Sequence, residues 1–228
     1  MSADPRLVRL LEHPAIWRGR SRALIRAIPT GFPPLDARLP GGGWPQVGLV
    51  EILIPRLGVG ELDLLLPALA HLSRQPAARW CTFIAPPAQA FTDNDSGAAG
   101  SGGYQPLELF APALAAHGVE LEHGLVVRAE SPLWPCEQAL RSGACDVVLA
   151  FLRRVQPRTL RRLQLAAEHG HTLGFVFRAL GARALREPSA ATLRLSITPQ
   201  AAGVRITVLK SRGGVPGTLD LRFSARLT

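Results

Sequence analysis

Thr30 to Leu66 reads TGFPPLDARLPGGGWPQVGLVEILIPRLGVGELDLLL. Its order is turn, short helix, glycine turn, strand, second loop and helix. A strand, a glycine loop and a helix in succession can hold a phosphate. The working form of that loop is G-x-x-x-x-G-K-[ST]: glycines let backbone N–H groups wrap the anion, lysine neutralises it, and a hydroxyl holds Mg²⁺. Here Gly58 and Gly60 are followed by Glu61 and Leu62, and Ile54 or Pro55 stands at the first glycine position. A carboxylate at 61 repels phosphate, and a leucine side chain offers magnesium no oxygen. The plain alternative is an ordinary strand–helix loop with two turn glycines. On either reading Gly58, Gly60, Glu61 and Leu62 form at most a degenerate phosphate loop. No nucleotide or other cofactor is expected.

The other groups that nucleotide hydrolysis requires are missing too. The strand-like run from Arg79 to Ala85 ends at Pro86-Pro87. Ligands of a parallel α/β sheet sit beyond such carboxyl ends, and a carboxylate there could activate water, which Pro87 cannot. The buried-strand run Val147 to Leu152 carries Ala150-Phe151 at the end where a metal-binding strand would carry aspartate. Cys81, Cys136 and Cys145 form no C-x-x-C pair and are odd in number, which argues against a disulfide framework and a zinc site. His169 and His171 flank Gly170, as cations do at a helix C-terminus. No catalytic residue and no metal site are predicted, and the chain is read as a non-enzyme.

Positive charge is what remains. The formal net charge is +9, and Lys210 is the only lysine, so arginine supplies nearly all of it. Arginine suits bidentate contact with phosphate or carboxylate, although genomic base composition produces the same excess. Nucleic acid and acidic protein partners are both permitted. Arg153, Arg154, Arg158, Arg161 and Arg162 cluster at the start of a helix spanning 157–169, either as a phosphate grip or as a solvated face. Arg178, Arg183 and Arg186 mark a basic loop from Ala179 to Ser189. The DNA-facing candidates are thus Arg153, Arg154, Arg158, Arg178, Arg183 and Arg186. Trp44, inside the glycine turn, is either an exposed anchor for a partner or a lid over the core. Trp44, Lys210, Arg212 and Arg226 are the partner-binding candidates.

The elements that must position these residues follow from periodicity. Residues 1–28 form an arm: a helix with Leu7, Leu10 and Leu11 on one stripe, stopped by Pro14, then a basic linker. Residues 29–228 form one domain, in line with the chain's length of 228 and its 47% hydrophobic content. Val50–Ile54 is a central strand. Leu62, Leu65, Leu66 and Leu69 repeat at helical spacing, so a helix should start near Leu62 or Asp63 with Pro67 in its first turn. Residues 92–103 (TDNDSGAAGSGG) read as a flexible insertion. A helix is expected from Pro106 to His117, a strand at Leu125–Arg128, a helix end at Glu137–Ser142 and a strand at Leu173–Arg178. Leu193–Thr198, Val204–Leu209 and Thr218–Phe223 alternate apolar and polar residues, the mark of an antiparallel meander on a sheet edge. Nothing approaches a membrane span of about 18–20 apolar residues, and the N-terminus lacks a signal-peptide core. A cytoplasmic location, with no membrane contact, is expected.

From about Ala27 to Phe223 the chain resembles the RecA-like recombinase core. TGFPPLD, LPGGGWP and GLVEI match its signposts ahead of the phosphate-loop strand, and VRITVLKSRGGVPGTLDLRF matches its terminal hairpin. LEHPAIWRG, LPGGGWP, GVGELDLLLPAL, FIAPP, EQALRSGAC and RRLQLAAE together resemble the ImuA family, SulA/RecA-like proteins associated with translesion DNA synthesis. This resemblance spans nearly the whole chain, with 92–103 as an insertion. It implies an α/β fold with a RecA-like core: a mostly parallel sheet flanked by helices, with a C-terminal antiparallel β-meander. The implied role is a non-catalytic accessory protein of SOS-induced, error-prone lesion bypass. Its implied partners are an ImuB-like Y-family polymerase homologue and an error-prone DnaE-type polymerase, with RecA and DNA as further contacts. Two other functions compete. One is SulA-like inhibition of the division protein FtsZ. The other is a divergent DNA-dependent ATPase in which Lys210 or another cation replaces the missing lysine. The edge meander and the C-terminal SARLT are docking candidates, because an edge strand leaves backbone groups unpaired.

Overall fold

The computed structural model describes residues 26–85, 109–152, 155–201, 203–214 and 216–223. The helical arm, the insertion at 92–103, Pro86-Pro87 and SARLT therefore lie outside the described residues.

The chain enters through a two-residue strand β1 (Ala27–Ile28), a one-turn helix α1 (Pro33–Asp36) and a 3-10 turn at Pro40–Gly42. Strand β2 (Trp44–Pro45) pairs back antiparallel on β1. The sheet proper begins with β3 (Gly48–Ile54), whose seven residues are all buried. Next come α2 (Leu66–Ser73), β4 (Trp80–Ala85), α3 (Ala111–Ala116), β5 (Gly124–Arg128), α4 (Leu133–Arg141), β6 (Cys145–Phe151), α5 (Pro157–His169), β7 (Leu173–Ala179) and the short α6 (Ala182–Arg186). The chain closes with β8 (Leu193–Gln200), β9 (Gly203–Ser211) and β10 (Gly217–Arg222).

Eight strands make one sheet in the order β10-β9-β8-β3-β7-β6-β4-β5. The pairings β8·β3, β3·β7, β7·β6, β6·β4 and β4·β5 are parallel, and β8·β9 and β9·β10 are antiparallel. The fold is thus mixed α/β, with a mostly parallel sheet and a C-terminal antiparallel meander. Runs such as VVLAF in β6 are apolar at successive positions because helices cover both faces there. One face packs Val50, Ile52, Phe83, Leu149, Phe175 and Phe177 against α2 and Leu114 of α3. The other packs Leu49, Ile84, Val148, Ala150 and Val176 under Cys136 and Leu140 of α4 and Leu160, Leu163 and Ala167 of α5.

Four expectations need correction. Helix α2 starts at Leu66 rather than at Leu62 or Asp63. The preceding residues are spent in turns, with Leu64 N bonded to Gly60 O and Leu65 N to Leu62 O. Pro67 does lie in the first helical turn. Helix α3 starts at Ala111 rather than at Pro106, because Phe110 is extended at its N-cap. The segment Ala179–Ser189 is not all loop, since Ala182–Arg186 closes a helical turn. Trp44 is no exposed anchor: it is fully buried, with its ring edge-on to Phe175 at 5.2 Å and 89°. The β1–β2 pairing turns its indole inward over the core, in the lid position.

Candidate functional site

The loop after β3 is closed by its own side chain. Gly58 and Gly60 take φ of +76° and +97°, a region glycine enters at little cost. This bends the chain so that successive N–H groups converge. Gly58 N donates to Glu61 Oε1 at 2.9 Å and Val59 N donates to Glu61 Oε2 at 2.8 Å. Glu61 is 2% exposed. A carboxylate gripped by two backbone donors stands in for the anion that such a nest would otherwise attract. At Gly60 a Cβ would come 2.6 Å from the Phe223 ring, so the glycine also lets the last described residue lie on the loop.

Beside this loop lies a cavity of about 310 Å³. Gly58, Gly60, Leu62, Leu66, Leu109, Phe110 and Leu114 give it an apolar wall, and Glu61, Asp63 and His117 are its ionisable groups. Among the described residues, two carboxylates and no lysine or arginine line it. Two like charges about 4 Å apart repel by roughly 4 kcal/mol at an effective dielectric of about 20, near a thousandfold in affinity. A phosphate therefore meets a nest already occupied by a carboxylate. Among the described residues no group of three or more His, Cys, Asp or Glu is gathered to hold a metal ion.

A second constellation lies on the opposite face of the sheet, and the sequence reading missed its centre. Glu51 of β3 is fully buried. Its Oε1 accepts from Arg178 Nη1 at 2.6 Å, and its Oε2 lies 3.0 Å from Arg194 Nε. That second contact is an ion pair without hydrogen-bond alignment. Register explains the meeting: Glu51 is directly opposite Arg194 on β8, and Arg178 is two residues beyond Glu51's partner Val176 on β7. Arg178 Nη2 also donates to Val155 O and to Glu187 Oε2, at 2.9 and 3.2 Å. Arg194 donates to the carbonyls of Glu187 and Ala184. The network staples the α6 segment over the strand ends. Arg183, and then Arg178, hold the Glu187 carboxyl below its ordinary range by hydrogen bonding.

These contacts sort the predicted residues. Arg178 is not DNA-facing: its side chain is 5% exposed and committed to Glu51, Glu187 and Val155 O. Arg158 and Arg186 are exposed, and Arg183 is exposed and paired to Glu187 at 2.8 Å. Arg153, Arg154 and Arg226 lie outside the described residues. Lys210 opposes Arg194 and donates to the carbonyls of Ser189 and Ala191 at 2.6 and 2.8 Å. Burial, then the charge of Arg212, lowers its pKa. It serves the α6 staple and not the 58–62 loop. Arg212 is exposed, 3.7 Å from Glu168. Arg178 and the DNA-facing candidates on α5 and α6 thus do not form one surface.

Two further residues escaped the sequence reading. Gln164, 4% exposed on α5, accepts from Leu49 N at 2.9 Å and donates to Thr192 Oγ1 at 3.0 Å, tying α5 to the start of β3. Trp134 is 70% exposed at the start of α4. No described helix is long and apolar enough to cross a membrane.

No protein-family model matches the chain, and no curated protein matches it. Among solved structures, the crystal structure of SulA from Pseudomonas aeruginosa is similar at 27% identity. That match covers 57% of this chain and 98% of SulA, with a TM-score of 0.42.

Proposed function

We propose that this chain is a non-catalytic adaptor in SOS-induced, error-prone translesion DNA synthesis. It works beside an ImuB-like Y-family polymerase homologue and a DnaE-type polymerase, with RecA as a further contact. The observation that carries the reading is the Glu61 carboxylate on Gly58 N and Val59 N, where a nucleotide phosphate would have to bind. The motif set at LEHPAIWRG, LPGGGWP and EQALRSGAC supports the pathway. Lys210, bonded to Ser189 O and Ala191 O, is a poor substitute for a phosphate-binding lysine, which weighs against the ATPase alternative. The outer strand β10 offers unpaired backbone groups for docking.

The test is phosphate release from ATP with Mg²⁺ and single-stranded DNA, run with co-purification from cells expressing the two polymerases. The expected result is no release above the protein-free rate, together with recovery of the polymerase homologue. DNA-stimulated release would overturn the non-catalytic half of the reading. Recovery of FtsZ in place of the polymerases would overturn the pathway half.

A further inference from the structure

Helices α4 and α5 lie side by side on one face of the sheet, with Cys136, Leu140, Leu160, Leu163, Ala166 and Ala167 turned inward. Each follows a parallel strand, so both start at the same edge of the sheet and run in the same direction. Glu137 fixes their alignment. Its carboxylate takes Arg162 from the neighbouring helix and Arg141 from its own, the latter at 3.2 Å. One turn back from Glu137 is Trp134, and one turn back from Arg162 is Arg158. Both therefore stand in the first turns of their helices, at the start of the helix pair.

Their exposure is unusual. Trp134 leaves 70% of its surface in water, and Leu165, further along α5, leaves 53%. Arg158 and Arg161 are exposed, and among the described residues neither is drawn into an ion pair. Arg162 keeps 65% of its side chain exposed although it touches Glu137. Glu137, the acid between the helices, is 13% exposed and flanked by two guanidiniums. The outer face of the helix pair thus offers an open indole and uncommitted arginines.

We infer that this face binds single-stranded nucleic acid, with Trp134 stacking an unpaired base and Arg158 and Arg161 holding phosphates. Charge complementarity selects the occupant. The chain carries +9, Arg158 and Arg161 are unpaired among the described residues, and Glu137 between the helices is matched by Arg141 and Arg162. Backbone-tracking cations interleaved with an aromatic platform are what sequence-tolerant single-strand binding needs. A duplex keeps its bases stacked on one another and gains nothing from the indole. The inference does not rest on the adaptor reading: a chain that failed to bind either polymerase could still bind a single strand here.

The experiment is fluorescence anisotropy of labelled oligo-dT, about twenty nucleotides long, with the full-length protein. Trp134→Ala should weaken binding about tenfold, and Trp134→Phe should keep most of the affinity because a stacking ring remains. Arg158→Ala with Arg161→Ala should lower the slope of log affinity against log salt by roughly 1.4, from about 0.7 per phosphate contact on a single strand. All three residues are solvent-facing, and a circular dichroism melt of each variant checks that the fold is intact. No binding by the wild type would overturn the proposal. So would an unchanged affinity in Trp134→Ala, or a duplex bound as tightly as the single strand. Displacement of the oligonucleotide by poly-glutamate at equal charge, in wild type and Trp134→Ala alike, would also overturn it and assign the face to acidic protein.

Discussion

Glu61 Oε1 lies 2.9 Å from the backbone nitrogen of Gly58, three residues back in a loop that turns on two positive-φ glycines. Removing the carboxylate strands two N–H groups, that of Val59 in a buried residue. Glu61→Ala should therefore destabilise the fold by about 1–3 kcal/mol. For a chain of this length that is a fall in melting temperature of roughly 2–12 °C. Acetate or phosphate added at high concentration should restore part of the loss in Glu61→Ala and have little effect on wild type. A thermal-shift series in acetate reads both. Equal stabilisation of the two proteins would mean that Glu61 does not occupy the nest.

The buried Glu51 carboxylate joins β7 to β8 through Arg178 and Arg194. Glu51→Ala leaves the Arg194 guanidinium buried without its counter-ion and Arg178 with Glu187 alone, a change of a kind that commonly costs about 3–5 kcal/mol. Urea denaturation should show a large drop in midpoint. Arg178→Ala should do the same while leaving the nucleic-acid affinity of the folded protein unchanged. Loss of affinity at full stability would return Arg178 to the DNA-facing set.

Glu187 gives a pH dependence with a definite sign. Arg183 and Arg178 hold its folded pKa below the ordinary value of 4.5. The folded state therefore binds fewer protons than the unfolded chain as pH falls below 4.5. The stabilisation is complete above that pH and is lost as pH drops through the folded pKa. Glu187→Gln should flatten this acid limb of the stability curve, read from urea midpoints across the acid range. A wild-type limb that survives in Glu187→Gln would place the titrating group elsewhere.

The three cysteines are free and buried. Burial foremost pushes the thiols of Cys81 and Cys136 up to about 12. At pH 8 only about one such thiol in ten thousand is ionised. A thiol-reactive chromogen should be consumed slowly by the native protein, and three equivalents should react at once on denaturation. A fast equivalent in native buffer would show one of the thiols to be open to solvent.

Much of the fold is written locally. VVLAF in β6 and LGFVF in β7 are apolar at successive positions because both sheet faces are covered, and that pattern needs no partner to be read. The alternation of β8 to β10 is equally plain. The residues that escaped are those whose meaning depends on distant register. Arg194 alternates within LRLSIT like any solvent-facing residue, and only the α6 segment folding over it makes it a buried partner of Glu51. Trp44 sits among glycines that suggest a surface turn, yet pairing of β1 with β2 turns it into the core. Prolines at 132 and 135 obscure the start of α4 and with it the place of Trp134. Glu61 was visible as a charge in the wrong place. Less legible is that a short-range carboxylate satisfies the loop's own N–H groups, as side-chain caps do elsewhere.

The proposed adaptor role requires the chain to hold a polymerase partner. It is tested most directly by titrating purified full-length protein against the ImuB-like polymerase homologue of the same cell, by interferometry or calorimetry without nucleotide. An adaptor gives saturable one-site binding at micromolar concentration or tighter, unaltered by ATP and Mg²⁺. No binding at such concentrations, with suppression of FtsZ polymerisation by the same preparation, would contradict it.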